Sequence, residues 1–193
     1  MRQLVDFGAV THKSLSAIYY GVAMFKMISL FLQNKPKNPI GFSEVGAWVG
    51  MSHFSGLVNL LQRYCIDFHG IDAGSSEEVE RCSIFYDMCG VFNKRFATAD
   101  IQAVISELGV GCPAYESVPF AICVALRHLD DFRAGVFEAV NAGGDTDTTA
   151  SMVGAMLGAR LGVDAIPEDL KAPFKGEVYT VADAFWHTFN EWF

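Results

Sequence analysis

The chain has 193 residues, of which 51% are hydrophobic, and a formal net charge of −8. This length and apolar content are enough for a single globular domain over residues 1–193, and they exclude a disordered chain. The 14 Lys and Arg residues are scattered, so the sequence does not indicate nucleic acid as a main partner.

The first residues do not have the basic start and apolar core of a secretory signal. The longest apolar stretch, residues 15–32, is interrupted by Lys26. The five cysteines include no Cys-x-x-Cys pair, so neither a zinc ribbon nor a disulfide framework is indicated. We therefore expect a cytoplasmic protein without a membrane partner.

Apolar residues recur mostly at three- and four-residue spacing, while alternating β-branched runs are nearly absent. This periodicity predicts an all-α fold. The first helix is expected over residues 14–33, because Pro36 and Pro39 prevent its continuation. Shorter helices are expected over residues 43–49 and 54–67.

The rest of the chain carries further start and stop signals. A Ser-x-x-Glu capping box at Ser75 predicts a helix over residues 75–89. The next helix should begin at Thr98 or Asp100 and stop at Gly109. Residues 109–113, called the glycine loop below, contain two glycines and a proline and should not be helical. Later helices are expected over residues 115–129, 132–141, 147–161 and 181–192.

Residues 143–148, Gly-Gly-Asp-Thr-Asp-Thr, are called the acidic turn below. The carboxylates of Asp145 and Asp147 and the hydroxyl of Thr148 are oxygen ligands of the kind that Mg²⁺ prefers. The glycines permit a tight, non-helical turn, from which we expect both aspartates to converge. One aspartate alone could be a helix cap, but two adjacent carboxylates repel each other unless a cation neutralises them.

The helix that follows carries Gly154, Gly158 and Gly162 at four-residue intervals. This spacing predicts a face of small residues that allows close backbone packing. We therefore expect a central helix that holds the acidic turn rigidly.

The acidic turn, the small-residue helix after it and residues 162–167, Gly-Val-Asp-Ala-Ile-Pro, together resemble the C-terminal signature of ADP-ribosylglycohydrolases. Residues 107–111 and 114–119, Glu-Leu-Gly-Val-Gly and Ala-Tyr-Glu-Ser-Val-Pro, resemble the subgroup that cleaves ADP-ribose from serine. The clear resemblance spans residues 107–170, and a weaker one over residues 11–32 rests on Thr11-His12. It implies a compact orthogonal helical bundle of that family's type.

By this resemblance, Asp145 and Asp147 are catalytic residues that ligate a pair of Mg²⁺ ions, one carboxylate bridging them, and Thr148 adds its hydroxyl. The implied reaction is hydrolysis of an ADP-ribosyl bond on a modified protein or a small ADP-ribose conjugate.

The resemblance also implies three substrate-binding residues. His12 would face the phosphates of ADP-ribose, and Gly111 and Cys112 would border the bound ligand. Residue type alone leaves simpler alternatives open, namely a hydrogen-bonded histidine at a helix start, a plain turn and a buried thiol.

Family members carry a Thr-Asp-Asp motif, an early glutamate and a glycine-rich phosphate loop before the Thr-His helix, and this sequence has none of them. We therefore expect a fold without the N-terminal helices and about half of a complete site. The alternatives are a truncated product, half of a split enzyme completed by a second chain, or a catalytically inactive ADP-ribose-binding or structural helical protein.

Residues 145–149 also satisfy the Asp-x-Asp-x-Thr pattern of haloacid-dehalogenase-like phosphatases, whose first aspartate is a nucleophile. There the motif follows an apolar β-strand near the start of the domain. Here the preceding residues have a helical pattern, which disfavours this second enzyme class.

Overall fold

The computed structural model describes residues 10, 14–33, 96, 98–171, 173 and 176–192. The helices expected over residues 43–49, 54–67 and 75–89 lie outside the described residues, as does His12. The described elements are helical and include no strand, which confirms the all-α fold class.

The first helix, α1, spans Leu15–Gln33, as expected to within a residue. Its buried side includes Tyr20, Ala23, Met27 and Leu30, at three- and four-residue spacing. By length and composition alone, the window Ser16–Gln33 is apolar enough to cross a membrane, and half of it is buried within the protein. Core helices of folded domains have the same character, so this window is weak evidence for a membrane span.

The next two helices flank the glycine loop. Helix α2 spans Ile101–Leu108, with Asp100 as its N-cap and Gly109 as its C-cap. Helix α3 spans Ala114–Arg127, and its residues 117–126 are all buried, so this helix runs through the core. These two helices confirm the predicted start at position 100 and the predicted loop over residues 109–113.

The acidic turn lies between the next two helices. Helix α4 spans Phe132–Asn141, as predicted, and starts at an N-cap, Asp131, whose side chain accepts a hydrogen bond from the amide of Ala134 at 2.9 Å. Helix α5 spans Thr146–Leu161 and ends at its C-cap, Gly162.

Helix α5 is the central element among the described helices, because it packs against α4, α3 and α1. Its buried side chains include Val153, Met156 and Leu157. Burial of each such side chain stabilises a fold by roughly 1.5–3 kcal/mol, so this packing holds the start of α5 firmly. The expectation of a central helix behind the acidic turn is confirmed.

The last described part was predicted less well. A short 3-10 helix at Val163–Ala165 and helix α6, Glu168–Lys171, were not foreseen. The final helix, α7, spans Glu177–Trp192 and therefore begins four residues before the predicted position 181. The two short helices have only three and four residues, too few for a helical repeat of apolar residues to show in the sequence.

Candidate functional site

The acidic turn reverses the chain direction between α4 and α5. Gly143 and Gly144 have positive φ angles of 80° and 69°, a conformation that favours glycine. Asp145 is the N-cap of α5 and is not helical, whereas Asp147 lies in the first turn of the helix. The expectation that both aspartates lie in a non-helical turn was therefore wrong for Asp147, because the helix begins directly after the N-cap.

The functional groups of the acidic turn nevertheless come together. The neighbouring side chains of Asp147 and Thr148 hold the pKa of the Asp145 carboxyl below its usual value, Asp147 contributing most. A hydroxyl such as that of Thr148 has this effect because a hydrogen bond from it stabilises the charged form of the carboxylate. Cys112 contributes a weaker hydrogen bond in the same direction.

Ordinary capping does not use up the oxygen atoms of this cluster. The Asp145 side chain makes no cap hydrogen bond to the start of α5, although Oδ1 of Asp147 accepts one from the amide of Thr148 at 2.9 Å. Ion pairs between described residues involve neither aspartate. Among the described residues, therefore, no basic side chain neutralises either carboxylate.

Backbone contacts join the acidic turn to the glycine loop. The amide of Asp145 donates a hydrogen bond to the carbonyl oxygen of Val110 at 2.8 Å. A Cβ atom added to Gly144 would lie closer than 3.0 Å to that same oxygen, so a glycine is needed for this approach. On the other side, the carbonyl of Asp145 accepts hydrogen bonds from the amide and the hydroxyl of Thr149, both at 3.0 Å. The turn is thus held from two directions.

The glycine loop brings two more predicted residues to the acidic turn. Cys112 is exposed, and the neighbouring Asp145 carboxylate raises the pKa of its thiol above the usual value, because a carboxylate stabilises the protonated thiol. Gly111 precedes it and donates its amide to Oε2 of Glu116 at 2.9 Å. The structure therefore places the loop that contains Gly111 and Cys112 beside the acidic turn, and the alternative of a buried thiol is wrong for Cys112. Their expected place at the border of bound ADP-ribose stays a prediction.

Sequence reasoning gave Glu116 no role, although its segment was part of the resemblance. A signal was present, since a glutamate three residues after a helix N-cap commonly accepts a backbone hydrogen bond. Its partner could not be predicted from local sequence, because that partner lies in the preceding loop.

An elongated cavity of about 650 Å³ adjoins this cluster, a size within the usual range for ligand pockets. It lies between α1, the start of α3 and the start of α5, and Cys112 and Thr148 line it together with mostly apolar residues. Polar groups at the edge of a mainly apolar cavity are the usual arrangement in sites for small organic ligands.

The described residues fit a hard cation, but they supply a limited ligand set. Two carboxylates and a hydroxyl from adjacent positions have the right chemistry for Mg²⁺. Within the described part of the chain, no group of three or more His, Cys, Asp or Glu side chains could hold a metal. Further ligands would have to come from water, from the substrate or from residues beyond the described ones.

Two further histidines, His128 and His187, are among the described residues. His128 forms a 2.8 Å contact with Glu138, which also accepts a hydrogen bond from Arg127, so it belongs to a structural network. His187 lies on the exposed surface of α7. His53 and His69 are outside the described residues, and so is His12, whose expected place near the phosphates stays a prediction.

The phosphatase alternative does not agree with the structure. Its Asp-x-Asp-x-Thr motif requires a preceding strand, but the acidic turn follows helix α4. The context of the motif therefore excludes this class.

The fold is helical, and a turn with two aspartates precedes its central helix. Comparison with known proteins identifies the class of protein that has these features. The family model for ADP-ribosylglycohydrolases matches residues 1–193, and the chain belongs to this family. The match extends well beyond the clear resemblance over residues 107–170.

Among curated relatives, the chain is similar to ADP-ribosylhydrolase ARH3 of Danio rerio, with 32% identity over 178 residues, which cover 86% of this chain and 45% of that protein. ARH3 of Homo sapiens is 37% identical over 90 residues, covering 42% of this chain and 25% of the relative. The uncharacterized protein YegU of Escherichia coli K12 is 48% identical over 66 residues, covering 34% and 20% respectively. The matched part spans less than half the length of these relatives.

Proposed function

We propose that this chain forms part of a Mg²⁺-dependent hydrolase that cleaves ADP-ribosyl bonds on modified side chains or related conjugates. The observation that carries the proposal is that the acidic turn, with Asp145, Asp147 and Thr148, meets the glycine loop, with Cys112, beside a ligand-sized cavity. Family membership supports the reaction class. The names of the ARH3 relatives support the substrate class.

In the proposed mechanism, Asp145 and Asp147 are the metal ligands and catalytic residues, and Thr148 adds its hydroxyl oxygen. A bound Mg²⁺ pair would supply charge stabilisation and orientation for the ribose hydroxyls. Gly111 and Cys112 would border the ADP-ribose, and the apolar cavity beside them would keep bulk water from part of the ligand. The hydrogen bond from the amide of Asp145 to Val110 joins the acidic turn, which would hold the metal, to the glycine loop, which would border the ligand.

The proposed metal site needs at least one ligand beyond those of the acidic turn. Since the described residues provide two acidic ligands, at least one further acidic group is expected from the remaining residues or from a second chain. The same observation favours a second candidate function, a non-catalytic protein that binds ADP-ribose and does not hydrolyse its conjugates.

The test is release of ADP-ribose from a serine-linked or an arginine-linked ADP-ribosyl peptide, followed by chromatography. The proposed function predicts release that requires Mg²⁺, stops with a chelator and is absent in a variant with Asp145→Asn and Asp147→Asn. Binding of ADP-ribose without release from either peptide would support the non-catalytic alternative. If the chain neither binds ADP-ribose nor releases it from either peptide, the proposed function is refuted for this chain.

A further inference from the structure

Glu116 occupies an unusual position at the start of α3. The N-cap of this helix is Pro113, which has no side-chain cap hydrogen bond, and Glu116 follows three residues later. A glutamate at this position ordinarily reaches back to the N-cap amide, but proline has no amide hydrogen to donate. Glu116 instead accepts a hydrogen bond from the amide of Gly111 at 2.9 Å. Its side chain thus forms a hydrogen bond with the loop before the helix and not with the N-cap of the helix.

The glycine loop is shaped around this carboxylate. A Cβ atom added to Gly111 would lie 2.8 Å from Oε2 of Glu116, and one added to Gly109 would lie closer than 3.0 Å to the same atom. The loop therefore approaches the carboxylate at both glycines, more closely than side chains would allow. Glu116 is itself partly buried, which limits competition from water for the hydrogen bond to Gly111.

The loop in turn holds the acidic turn. Val110, between the two glycines that contact Glu116, accepts the hydrogen bond from the amide of Asp145 at 2.8 Å. Gly144 packs against the same carbonyl group. A displacement of the loop would therefore move the Val110 carbonyl group, which holds the amide of Asp145 and packs against Gly144.

We propose that Glu116 is a positioning residue, which fixes the glycine loop by its hydrogen bond to Gly111 and thereby sets the place of Asp145. It is not a ligand and does not touch the reacting groups. Its effect on ion affinity rests on the proposed function, but its effect on the loop and on the amide of Asp145 does not.

Three substitutions separate the hydrogen bond from the charge. Glu116→Gln keeps an acceptor oxygen at the same reach and removes the charge. Glu116→Asp keeps the charge and shortens the reach by one methylene, and Glu116→Ala removes both. Glu177→Ala is the matched control, because it removes an exposed carboxylate from the first turn of another helix, α7.

The first measurement is hydrogen exchange of backbone amides by NMR. Loss of the hydrogen bond from Gly111 should speed exchange at Gly111 and Asp145 about tenfold in Glu116→Ala and in Glu116→Asp. Glu116→Gln and Glu177→Ala should exchange as the wild type does, and amides in the buried middle of α3 should be unchanged in all variants. Unchanged exchange at Asp145 in both Glu116→Ala and Glu116→Asp would overturn the proposal, as would a change in Glu116→Gln as large as that in Glu116→Ala.

The second measurement is Mg²⁺ affinity by calorimetry. Loss of a residue that supports a metal ligand typically weakens binding roughly 10- to 100-fold, and we expect the low end of this range for Glu116→Ala and Glu116→Asp. Glu116→Gln should retain wild-type affinity. If the wild type binds no Mg²⁺, the proposed function fails, while the exchange rates still decide the role of Glu116. If Glu116→Ala does not fold, Glu116→Asp against Glu116→Gln gives the same comparison.

Discussion

Gly144 is the residue at which the acidic turn meets the glycine loop. It has a φ of 69°, and an added Cβ would overlap the carbonyl oxygen of Val110. Its neighbour Gly143 has a similar φ of 80° but open space around the Cβ position. Alanine at Gly143 would therefore carry only the cost of a left-handed conformation, whereas alanine at Gly144 would also carry the cost of a steric clash.

We expect Gly143→Ala to destabilise the protein by about 1–2 kcal/mol, the cost of a left-handed non-glycine residue. Gly144→Ala should cost about 1–3 kcal/mol more, because the backbone must also move away from Val110. Urea denaturation of both variants measures the free energy of unfolding. Equal losses in the two variants would show that the contact between Gly144 and Val110 does not constrain the turn.

Single residues of the site could be predicted where the residue type itself carries the chemistry. Two aspartates and a threonine within four positions indicate a hard-cation site, and the resemblance added Gly111 and Cys112. The hydrogen bond between Glu116 and Gly111 could not be predicted in this way, because neither residue is unusual alone. The pairing depends on how the glycine loop folds back over the start of α3.

At the scale of secondary structure, the helix boundaries coincide with residues that favour caps. Asp100 and Asp131 mark two helix starts, and Gly109 and Gly162 mark two helix ends. These boundaries follow from local backbone hydrogen bonding, which a sequence pattern encodes directly. The short helices after α5 have three and four residues, which is less than the length over which apolar periodicity can be recognised.

The small-residue stripe on α5 has a different role from the one expected. Added Cβ atoms on Gly154 and Gly158 would be 3.8–3.9 Å from Phe132 and Val136, which is ordinary contact. The tight approach occurs instead at Gly135 of α4, where a Cβ would lie 2.5 Å from the side chain of Leu157. The expectation that the glycines of α5 enable the close packing was therefore wrong, since aromatic and branched residues on α4 fill the space.

This difference predicts opposite effects for two Gly→Ala substitutions. Gly135→Ala should destabilise the protein by about 1–3 kcal/mol, because the buried contact with Leu157 becomes overpacked. Gly154→Ala should be neutral or stabilise by up to about 1 kcal/mol, because alanine has the higher helix propensity and fits the available space. Thermal unfolding followed by circular dichroism compares the two, and a loss of stability in Gly154→Ala as large as that in Gly135→Ala would contradict this packing.

At the scale of the whole molecule, the candidate site joins segments that are distant in sequence. The glycine loop and the acidic turn are separated by about one helical hairpin, α3 and α4, and they meet because both helices pack against the same core as α5. No local pattern encodes this meeting. Three expectations stay predictions. They are the single domain over residues 1–193, the role of His12 and the contribution of a second chain.

The proposed hydrolase activity depends on the acidic turn holding a divalent cation. Asp147 is exposed in the first turn of α5, so its replacement by alanine removes a helix-terminal charge worth up to about 1 kcal/mol and leaves the core intact. Asp183→Ala is the matched control, because it removes an exposed carboxylate from α7.

The most direct measurement is calorimetric titration of Mg²⁺ into the wild type, Asp147→Ala and Asp183→Ala, each with ADP-ribose present. We predict that the wild type and Asp183→Ala bind the ion equally. Asp147→Ala should lose more affinity than the roughly 10- to 100-fold typical of an outer-shell residue, with the helical circular dichroism spectrum retained. Wild-type affinity in Asp147→Ala, or no binding by the wild type, would contradict the assignment of the acidic turn as the metal site.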